Sequence, residues 1–192
     1  MEGLLEIRWH GRGGQGAKTA AMLLAEVFSA AGRFIQGFPE YGPERMGAPV
    51  LAFNRVSDEP ISLHCHVTEP ELVVVLDPTL IGKAGVTDGL PKDGRILVNT
   101  PASPAEMRQR LGLKDGRVFT VDATQISLDT MGRNIPNTPM MGALVRVADL
   151  MEFDAFLSLV RTQLEDKLKG KKDLVAGNIA AMERAFKEVR GE

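Results

Sequence analysis

Gly11-Arg12-Gly13-Gly14-Gln15-Gly16 is the most informative motif of this sequence. It follows an apolar segment, Leu4 to Trp9, that predicts a strand, and precedes an Ala- and Leu-rich segment, Ala17 to Ala31, that predicts a helix ended by Gly32. Glycine has no Cβ, so the backbone can turn tightly and approach a ligand closely. Because the first turn of a helix carries unpaired N–H groups, this combination is typical of a site for phosphate or another anion.

The predicted anion site consists of the loop and one nearby cation. Its residues are Gly11, Gly13, Gly14, Gln15, Gly16 and Lys18. In a nucleoside-triphosphate loop a lysine directly follows the last glycine, whereas here Ala17 intervenes and displaces Lys18 by about 100° around the helix. The alternative interpretation is a glycine turn that only permits close packing of helix on sheet.

A second interpretation of the same motif is a dinucleotide-binding fold. Gly11, Gly13 and Gly16 satisfy G-x-G-x-x-G between a predicted strand and a predicted helix. That fold also needs an acidic residue about 20 positions on, at the end of the second strand. The nearest candidate is Glu40, which follows the strand-like Phe34 to Gly37. This alternative predicts a free-standing protein that binds nicotinamide or flavin.

Further along the chain, predicted strands alternate with predicted helices. Three apolar runs are typical of parallel strands covered on both faces: residues 72–76, 96–98 and 118–121. Helices are predicted from the capping box Ser103-Pro104-Ala105-Glu106 and over residues 125–131, 138–147, 149 or 154 to 168, and 178–189. The pattern predicts an α/β protein: a single doubly wound, mostly parallel sheet with helices on both faces.

Length and composition set the class of protein. A chain of 192 residues with 44% hydrophobic and 25% charged residues predicts one globular domain over residues 1–192. The net charge of −2, without a basic patch, makes nucleic acid an unexpected partner. No apolar run reaches the roughly 18 residues of a membrane span, and the start shows no signal peptide, so we expect the cytoplasm. The single cysteine, Cys65, excludes an internal disulfide or a cysteine-only cluster.

Polar residues follow three of the central strands. Asp77, Asn99 and Asp122 each come just after an apolar run. Ligands of open α/β sheets use the crevice beyond the carboxyl ends of the strands, so these residues are candidates for a site beside the glycine loop. For any one of them, capping of a turn or helix is the favoured alternative. His10, next to Gly11, would either donate to an anion or simply end the strand.

Two other segments contain candidate interface residues. Residues 36–49 are dense in Gly and Pro, and long loops of compact domains are usually functional, so Phe38, Tyr41 and Arg45 are candidate interface residues. Residues 61–67 alternate in polarity and predict a half-buried strand, with Cys65 inward and the two neighbouring histidines on the other face. A solvent or interface face is favoured there over a metal site.

The ordered set of motifs resembles the gamma subunits of 2-oxoacid:ferredoxin oxidoreductases, and most closely those of pyruvate synthases. The segments that carry the resemblance are residues 7–16, 38–45, 47–49, 73–77, 98–100, 121–124 and 137–143. The likeness extends through about residue 150, and the helices beyond are less distinctive.

The resemblance implies a multi-subunit enzyme that converts a 2-oxoacid and coenzyme A into acyl-CoA and CO2, with ferredoxin as electron acceptor. It implies alpha, beta and delta subunits, or fused equivalents, that carry thiamine diphosphate, Mg²⁺ and iron–sulfur clusters. This chain holds one cysteine and no Gly-Asp-Gly segment with a suitably spaced Asn, so we expect those cofactors on the partners.

Two roles follow for this chain within such a complex. The glycine loop and Lys18 would hold the phosphates of coenzyme A, and the loop from Phe38 to Pro49 would dock against the thiamine-binding subunits. A purely structural subunit that binds nothing is the alternative. Without its partners, the isolated chain would expose interface surface and form a homodimer.

Overall fold

The computed structural model describes residues 3–40 and 46–192. Within them, seven strands form one sheet: β1 Leu5–Arg12, β2 Phe34–Pro39, β3 Pro49–Ser57, β4 Leu72–Val75, β5 Arg95–Asn99, β6 Arg117–Val121 and β7 Arg190–Gly191. The helices are α1 Ala17–Ala30, α2 Pro104–Leu111, α3 Ala123–Met131, α4 Asn137–Ala148, α5 Phe153–Lys167 and α6 Lys172–Glu188, with a single 3-10 turn at Pro78–Leu80.

The sheet is mixed, with a parallel centre. Its strand order is β2-β3-β1-β4-β5-β6-β7. The neighbours β1, β4, β5 and β6 are parallel, and β3 is antiparallel to both β1 and β2, so β2 runs in the same direction as β1. The predicted α/β fold with a mostly parallel sheet is therefore confirmed, with two reversed strands, β3 and β7, that the sequence did not predict.

Helices cover both faces of the sheet unequally. The larger core cluster joins one face to α1, α3, α4, α5 and α6. The smaller cluster joins the other face to α2 and the turn after β4. Strands β4 and β5 contribute alternate residues to the two clusters, as expected of strands buried on both sides.

The connections diverge between the neighbours β1 and β4. From β1 the chain crosses one face through α1 to reach β2, whereas from β4 it crosses the other face to β5 and then through α2 to β6. Such a switch point opens a crevice at the carboxyl ends of the two strands, which is where ligands of open α/β sheets bind. The glycine loop lies at this crevice, because it directly follows β1.

The prediction of a strand over residues 61–67 is wrong. The segment is irregular and crosses the face of β2 and β3, with His64, Cys65 and His66 all exposed, so Cys65 does not point inward. The backbone carbonyls of this segment accept hydrogen bonds from side chains of β2 and β3 instead of pairing with a strand. Gln36 Nε2 donates to Leu63 O at 3.0 Å, and Arg55 Nη2 donates to Cys65 O at 2.8 Å.

The helix bounds differ from the prediction mainly at α6. It begins at Lys172 rather than at Asn178. Asn178 lies inside the helix, where its Nδ2 donates to Leu174 O at 2.6 Å. The basic run around residues 167–172 forms the turn between α5 and α6, as predicted.

A buried amide ties three elements under the crevice. Asn54 on β3 is fully buried and accepts from Trp9 Nε1 on β1 at 2.9 Å. Its Nδ2 donates to Ala21 O on α1 at 2.9 Å and to Gln36 O on β2 at 3.3 Å. Ala21 O and Gln36 O also take part in the bonding of α1 and of the sheet, so the group that depends on Asn54 is the buried Trp9 indole N–H.

We therefore expect Asn54→Ala to lower the free energy of unfolding by about 2 kcal/mol, since the buried Trp9 indole N–H loses its acceptor. Urea unfolding followed by circular dichroism measures this change. The matched control is Asn134→Ala at an exposed position, which should leave the unfolding midpoint unchanged. Equal midpoints for the two variants would contradict the role of Asn54.

Candidate functional site

The glycine loop is shorter than its sequence motif. Strand β1 continues through Arg12, so Gly11 is a buried strand residue rather than a loop residue. A Cβ on Gly11 would lie 3.2 Å from Leu76 Cδ1 and 3.3 Å from Ala17 Cβ. Gly11 thus permits close packing of α1 on the sheet, as the packing interpretation holds, and the turn itself spans residues 13–16.

Gly16 ends the turn and caps α1 in a conformation that favours glycine. Its φ is 84° and its ψ is 23°, in the left-handed region. A Cβ there would lie 2.5 Å from Asn137 Nδ2 at the start of α4. The start of α1 lies close beside the first residue of α4. This contact and the backbone angle together disfavour any residue larger than glycine at position 16.

The start of α1 offers N–H groups to a ligand. Gly16 supplies no side-chain cap, and the first turn holds no acidic residue. Within the described part of the chain, the amides of Gly14 and Gly16 have no hydrogen-bond acceptor. Unpaired amides at a helix N-terminus, together with the positive end of the helix dipole, favour an anion.

Gln15 braces the loop from within. Its Oε1 accepts from Arg12 N at 2.8 Å, and its Nε2 donates to Asp77 Oδ2 at 2.9 Å. Both ends of the side chain are therefore engaged by the protein itself. Among the residues predicted to bind an anion, Gln15 is placed beside the cleft as a support rather than as an open donor.

Arg12 joins three segments around the same carboxylate, a role that the sequence analysis missed. Its Nε lies 3.1 Å from Asp77 Oδ2, its Nη2 donates to Thr79 Oγ1 at 2.9 Å, and its Nη1 donates to Gly47 O at 2.9 Å. The backbone adds bonds from Gly13 N to Ala48 O at 2.9 Å and from Gly47 N to Gly13 O at 3.2 Å. Two features of the sequence could have indicated this contact: an arginine inside the glycine motif and an aspartate at the end of another predicted strand.

Asp77 is held in its ionised form. Burial alone would raise the pKa of this carboxyl, but hydrogen bonds from Thr79 and Gln15 and the charge of Arg12 outweigh it, so the pKa lies below its ordinary value. Asp77 Oδ1 also accepts from Thr79 N at 2.9 Å and so caps the 3-10 turn. The predicted capping role is thus confirmed, alongside the contact with the glycine loop.

The other two strand-end residues bond to backbone groups at the ends of neighbouring elements. Asn99 donates from Nδ2 to Leu76 O at 2.8 Å and accepts from Thr124 N at 3.1 Å. Asp122 caps α3 by accepting from Gln125 N at 3.0 Å. Because their side chains are occupied by these contacts, Asn99 and Asp122 are no longer candidates for ligand binding. The candidate site is then the crevice between β1 and β4.

A cleft of about 500 Å³ opens over the start of α1. Its lining residues are Arg12, Gly13, Gly14, Gly16, Ala17, Lys18, Thr19, Pro39, Met46 and Val50. The lining combines the glycine loop and the exposed Lys18 with the apolar residues Pro39, Met46 and Val50. The size falls in the range of about 300–1,000 Å³ that small-molecule sites occupy.

Of the predicted interface residues, only Phe38 lies in the described part. It is half-buried on β2, with its ring centroid 5.3 Å from that of Phe53 and the Arg55 guanidinium 5.4 Å from its centre. Tyr41 and Arg45 lie outside the described residues. The interface assignment therefore stays a prediction.

Glu40 does not take the position that a dinucleotide site requires. It follows β2, but β3 lies between β2 and β1, whereas in that fold the acidic residue ends the strand next to the glycine loop. One additional strand moves the carboxylate away by about 5 Å. This geometry weighs against the free-standing dinucleotide-binding protein.

The described residues contain no group of three or more His, Cys, Asp or Glu side chains that could hold a metal ion. Among the helices described, none is long and apolar enough to cross a membrane.

The sequence matches the family described as pyruvate ferredoxin/flavodoxin oxidoreductase over residues 6–188. It is 45% identical to the pyruvate synthase subunit PorC of Thermotoga maritima over 188 residues, covering 96% of this chain and 94% of that protein. It is 42% identical to the pyruvate/ketoisovalerate oxidoreductases common subunit gamma of Pyrococcus abyssi over 187 residues, covering 97% and 98%. The chain belongs to the pyruvate ferredoxin/flavodoxin oxidoreductase family.

Solved structures agree with this membership. The crystal structure of pyruvate oxidoreductase subunit PORC from Thermotoga maritima matches with a TM-score of 0.86 at 41% identity, covering 100% of this chain and 99% of that one. The same fold occurs in 2-oxoglutarate:ferredoxin oxidoreductase from Magnetococcus marinus, with a TM-score of 0.77 at 17% identity, covering 97% of this chain and 31% of that one. The latter structure has 2-oxoglutarate, coenzyme A and succinyl-CoA bound. The resemblance to gamma subunits of a multi-subunit oxidoreductase is confirmed.

In this member of the family, His10 belongs to the sheet rather than to the cleft. It is 2% exposed inside β1, where its Nε2 accepts from Arg8 Nε at 2.9 Å. Arg8 in turn donates from Nη2 to Asp88 O at 2.6 Å. Burial, and then the charge of Arg8, lower the pKa of His10 from 6.5 to about 3. Neither of the roles expected of His10 from the sequence is realised.

The buried neutral imidazole makes stability depend on pH. Since the pKa in the folded protein lies below its ordinary value, the stabilisation is complete above about pH 6.5 and is lost as the pH falls toward 3. Uptake of one proton on unfolding corresponds to about 1.4 kcal/mol per pH unit. We expect His10→Gln, which keeps an acceptor for Arg8, to remove this slope from the free energy of unfolding between pH 6 and pH 4.5, roughly the window just below the ordinary pKa.

Urea unfolding at several pH values measures the slope. The exposed His64 and His66 provide matched controls, and His64→Gln and His66→Gln should retain the slope of the unaltered protein. An unchanged slope in His10→Gln would show that another group takes up the proton.

Proposed function

We propose that this chain is the gamma subunit of a multi-subunit pyruvate:ferredoxin oxidoreductase and that its glycine loop holds phosphates of coenzyme A. The complex would convert the 2-oxoacid and coenzyme A to acyl-CoA and CO2 and pass the electrons to ferredoxin. The observation that carries the coenzyme A assignment is the start of α1, where the glycine loop and Lys18 line the cleft at the switch point and the amides of Gly14 and Gly16 have no acceptor among the described residues.

The lining of the cleft offers both polar and apolar contacts, as a nucleotide-containing ligand requires. Amides and a lysine stabilise phosphate through charge-assisted hydrogen bonds. The apolar lining residues Pro39, Met46 and Val50 would supply contact area for a less polar part of the ligand. Coenzyme A combines both, and it is bound in the 2-oxoglutarate:ferredoxin oxidoreductase that contains the same fold.

This chain would contribute binding and positioning rather than a reacting group. Holding the phosphates at the crevice would direct the thiol of coenzyme A toward the partner subunits, and such positioning replaces a bimolecular encounter. Thiamine diphosphate and Mg²⁺ would lie on partner subunits, together with the iron–sulfur clusters. A cluster needs several cysteine thiolates, and this chain has one cysteine.

We place the choice of 2-oxoacid on the partners as well. One relative is named a subunit common to pyruvate and ketoisovalerate oxidoreductases, so in that protein one gamma subunit serves two substrates. Alpha, beta and delta subunits, or fused equivalents, are the expected partners. The β2–β3 connection that contains Tyr41 and Arg45 would dock against them, with Phe38 beside it.

The coenzyme A site predicts a specific kinetic defect in the assembled complex. Lys18→Ala should raise the KM for coenzyme A about tenfold, since one charge-assisted hydrogen bond of roughly 1.4 kcal/mol is lost. Gly14→Ala should raise the KM as well, because a methyl group would enter the cleft beside Met46 Sδ. The KM for the 2-oxoacid should stay unchanged in both variants, which steady-state assays of acyl-CoA formation measure.

Two substitutions serve as controls. Lys114→Ala removes another exposed lysine outside the cleft, and Gly32→Ala imposes a comparable backbone strain at a φ of 79° with nothing within 4 Å of the new methyl group. Neither should change the KM for coenzyme A. If Lys18→Ala and Gly14→Ala behave like these controls, the chain is a structural subunit without a coenzyme A site.

The subunit assignment predicts what purifies with the chain. Anaerobic affinity purification from the native host, followed by mass spectrometry, should recover thiamine- and cluster-bearing subunits in fixed ratio. The recovered complex should oxidise pyruvate with coenzyme A and reduce ferredoxin, and comparison with branched-chain oxoacids and 2-oxoglutarate ranks the substrates. Recovery of the chain alone would contradict the assignment.

A further inference from the structure

A carboxylate bonds to the turn that would hold the phosphates of coenzyme A. Asp77 Oδ2 accepts from Gln15 Nε2 at 2.9 Å, and Gln15 lies between Gly14 and Gly16, whose amides are open to the ligand. The Asp77 side chain is only 12% exposed. Because little water reaches this charge, it is screened less than a surface carboxylate and would repel a bound phosphate. A phosphate site beside it therefore needs a compensating positive charge.

Arg12 supplies that charge at the cleft itself. Its Nε lies 3.1 Å from Asp77 Oδ2, and among the described residues no other lysine or arginine forms an ion pair with this carboxylate. Arg12 lines the cleft, whereas Asp77 does not. The ligand would thus meet the guanidinium, with the carboxylate behind it in a pair that carries no net charge. Lys18, the other cation of the lining, remains for the phosphate.

The protein fixes the Arg12 guanidinium against the carboxylate. Besides the contact of Nε with Asp77, Nη2 donates to Thr79 Oγ1 at 2.9 Å and Nη1 donates to Gly47 O at 2.9 Å. All three nitrogens therefore bond to acceptors of this chain. A guanidinium has five N–H groups, so donation to the phosphate through the remaining two is the competing role for this residue.

We propose that Arg12 is a positioning residue of the coenzyme A site, which acts by neutralising Asp77 rather than by contacting the co-substrate. This inference rests on the proposed function of the cleft. The carboxylate holds Gln15 and Thr79 in place, and the guanidinium cancels the repulsion that the same carboxylate would exert on a phosphate. The open amides of the turn and Lys18 then bind the phosphate.

The first test is steady-state kinetics of the assembled complex. Arg12→Gln leaves Asp77 charged and unpaired, and should raise the KM for coenzyme A about tenfold. The kcat at saturating coenzyme A and the KM for the 2-oxoacid should not change. Arg12→Lys keeps the charge and should stay within about threefold of the unaltered complex. Arg184→Gln is the matched control, since Arg184 pairs with Asp129 at 2.6 Å outside the cleft, and its KM for coenzyme A should be unchanged.

The decisive variant removes both charges. Asparagine at position 77 keeps an oxygen that can accept from the Thr79 amide, as Asp77 Oδ1 does at 2.9 Å. In Arg12→Gln/Asp77→Asn no carboxylate is left to repel the phosphate, so the KM for coenzyme A should fall back to within about threefold of the unaltered complex. If Arg12 donated to the phosphate directly, or only held the turn in shape, the double variant would keep or exceed the KM of Arg12→Gln. That result would overturn the proposal.

Lys18→Ala, measured in the same assay, separates this inference from the proposed function. If Lys18→Ala raises the KM for coenzyme A and the double variant does not recover, the cleft binds coenzyme A and only the role of Arg12 is wrong. If Lys18→Ala and Arg12→Gln both leave the KM unchanged, the cleft does not hold the co-substrate and both proposals fail. Recovery in the double variant alone supports neutralisation, because removing a second buried partner of the turn cannot otherwise improve binding.

Discussion

The site depends on one buried carboxylate, Asp77, at the end of β4. It accepts hydrogen bonds from Gln15 of the glycine turn, from Arg12 at the end of β1, and from both the amide and the hydroxyl of Thr79. Charge-assisted bonds of this kind are stronger than neutral ones, and the low exposure of Asp77 limits the competition from water. Asp77 thereby fixes the loop after β1 to the end of the neighbouring strand, across the switch point of the sheet.

This fixation explains why the loop can present backbone donors without a bound ligand. Arg12 extends the same contact to Gly47, so the return into β3 is tied to the glycine turn by side-chain and backbone bonds. Asp77 brings negative charge to a site proposed for phosphate, and Arg12 neutralises it at 3.1 Å. Lys18 and the positive end of α1 then remain as the charges that a ligand would meet.

The sequence predicted the parts whose signals are local. The continuous apolar run at 72–76 predicted a doubly covered strand, and Ser103 with Glu106 predicted the start of α2, where both bonds of the capping box form. It did not predict β3, because buried polar residues such as Asn54 and Arg55 interrupt the apolar pattern and are satisfied only by distant partners. The same reason hid the roles of Gln15 and Arg12, whose partner lies 62 to 65 residues away. Residues 61–67 do alternate in polarity, but their carbonyls bond to the side chains of Arg55 and Gln36 rather than to a neighbouring strand.

Hydrogen exchange at the start of α1, measured in the assembled complex with and without coenzyme A, tests the proposed coenzyme A site directly. We expect saturating coenzyme A to slow exchange of the amides from Gly14 to Thr19 and to leave exchange of the amides of α3 and α5 unchanged. If the complex turns over coenzyme A and exchange at these amides stays the same, the glycine loop does not hold the co-substrate. The cleft would then be a consequence of packing α1 against the sheet.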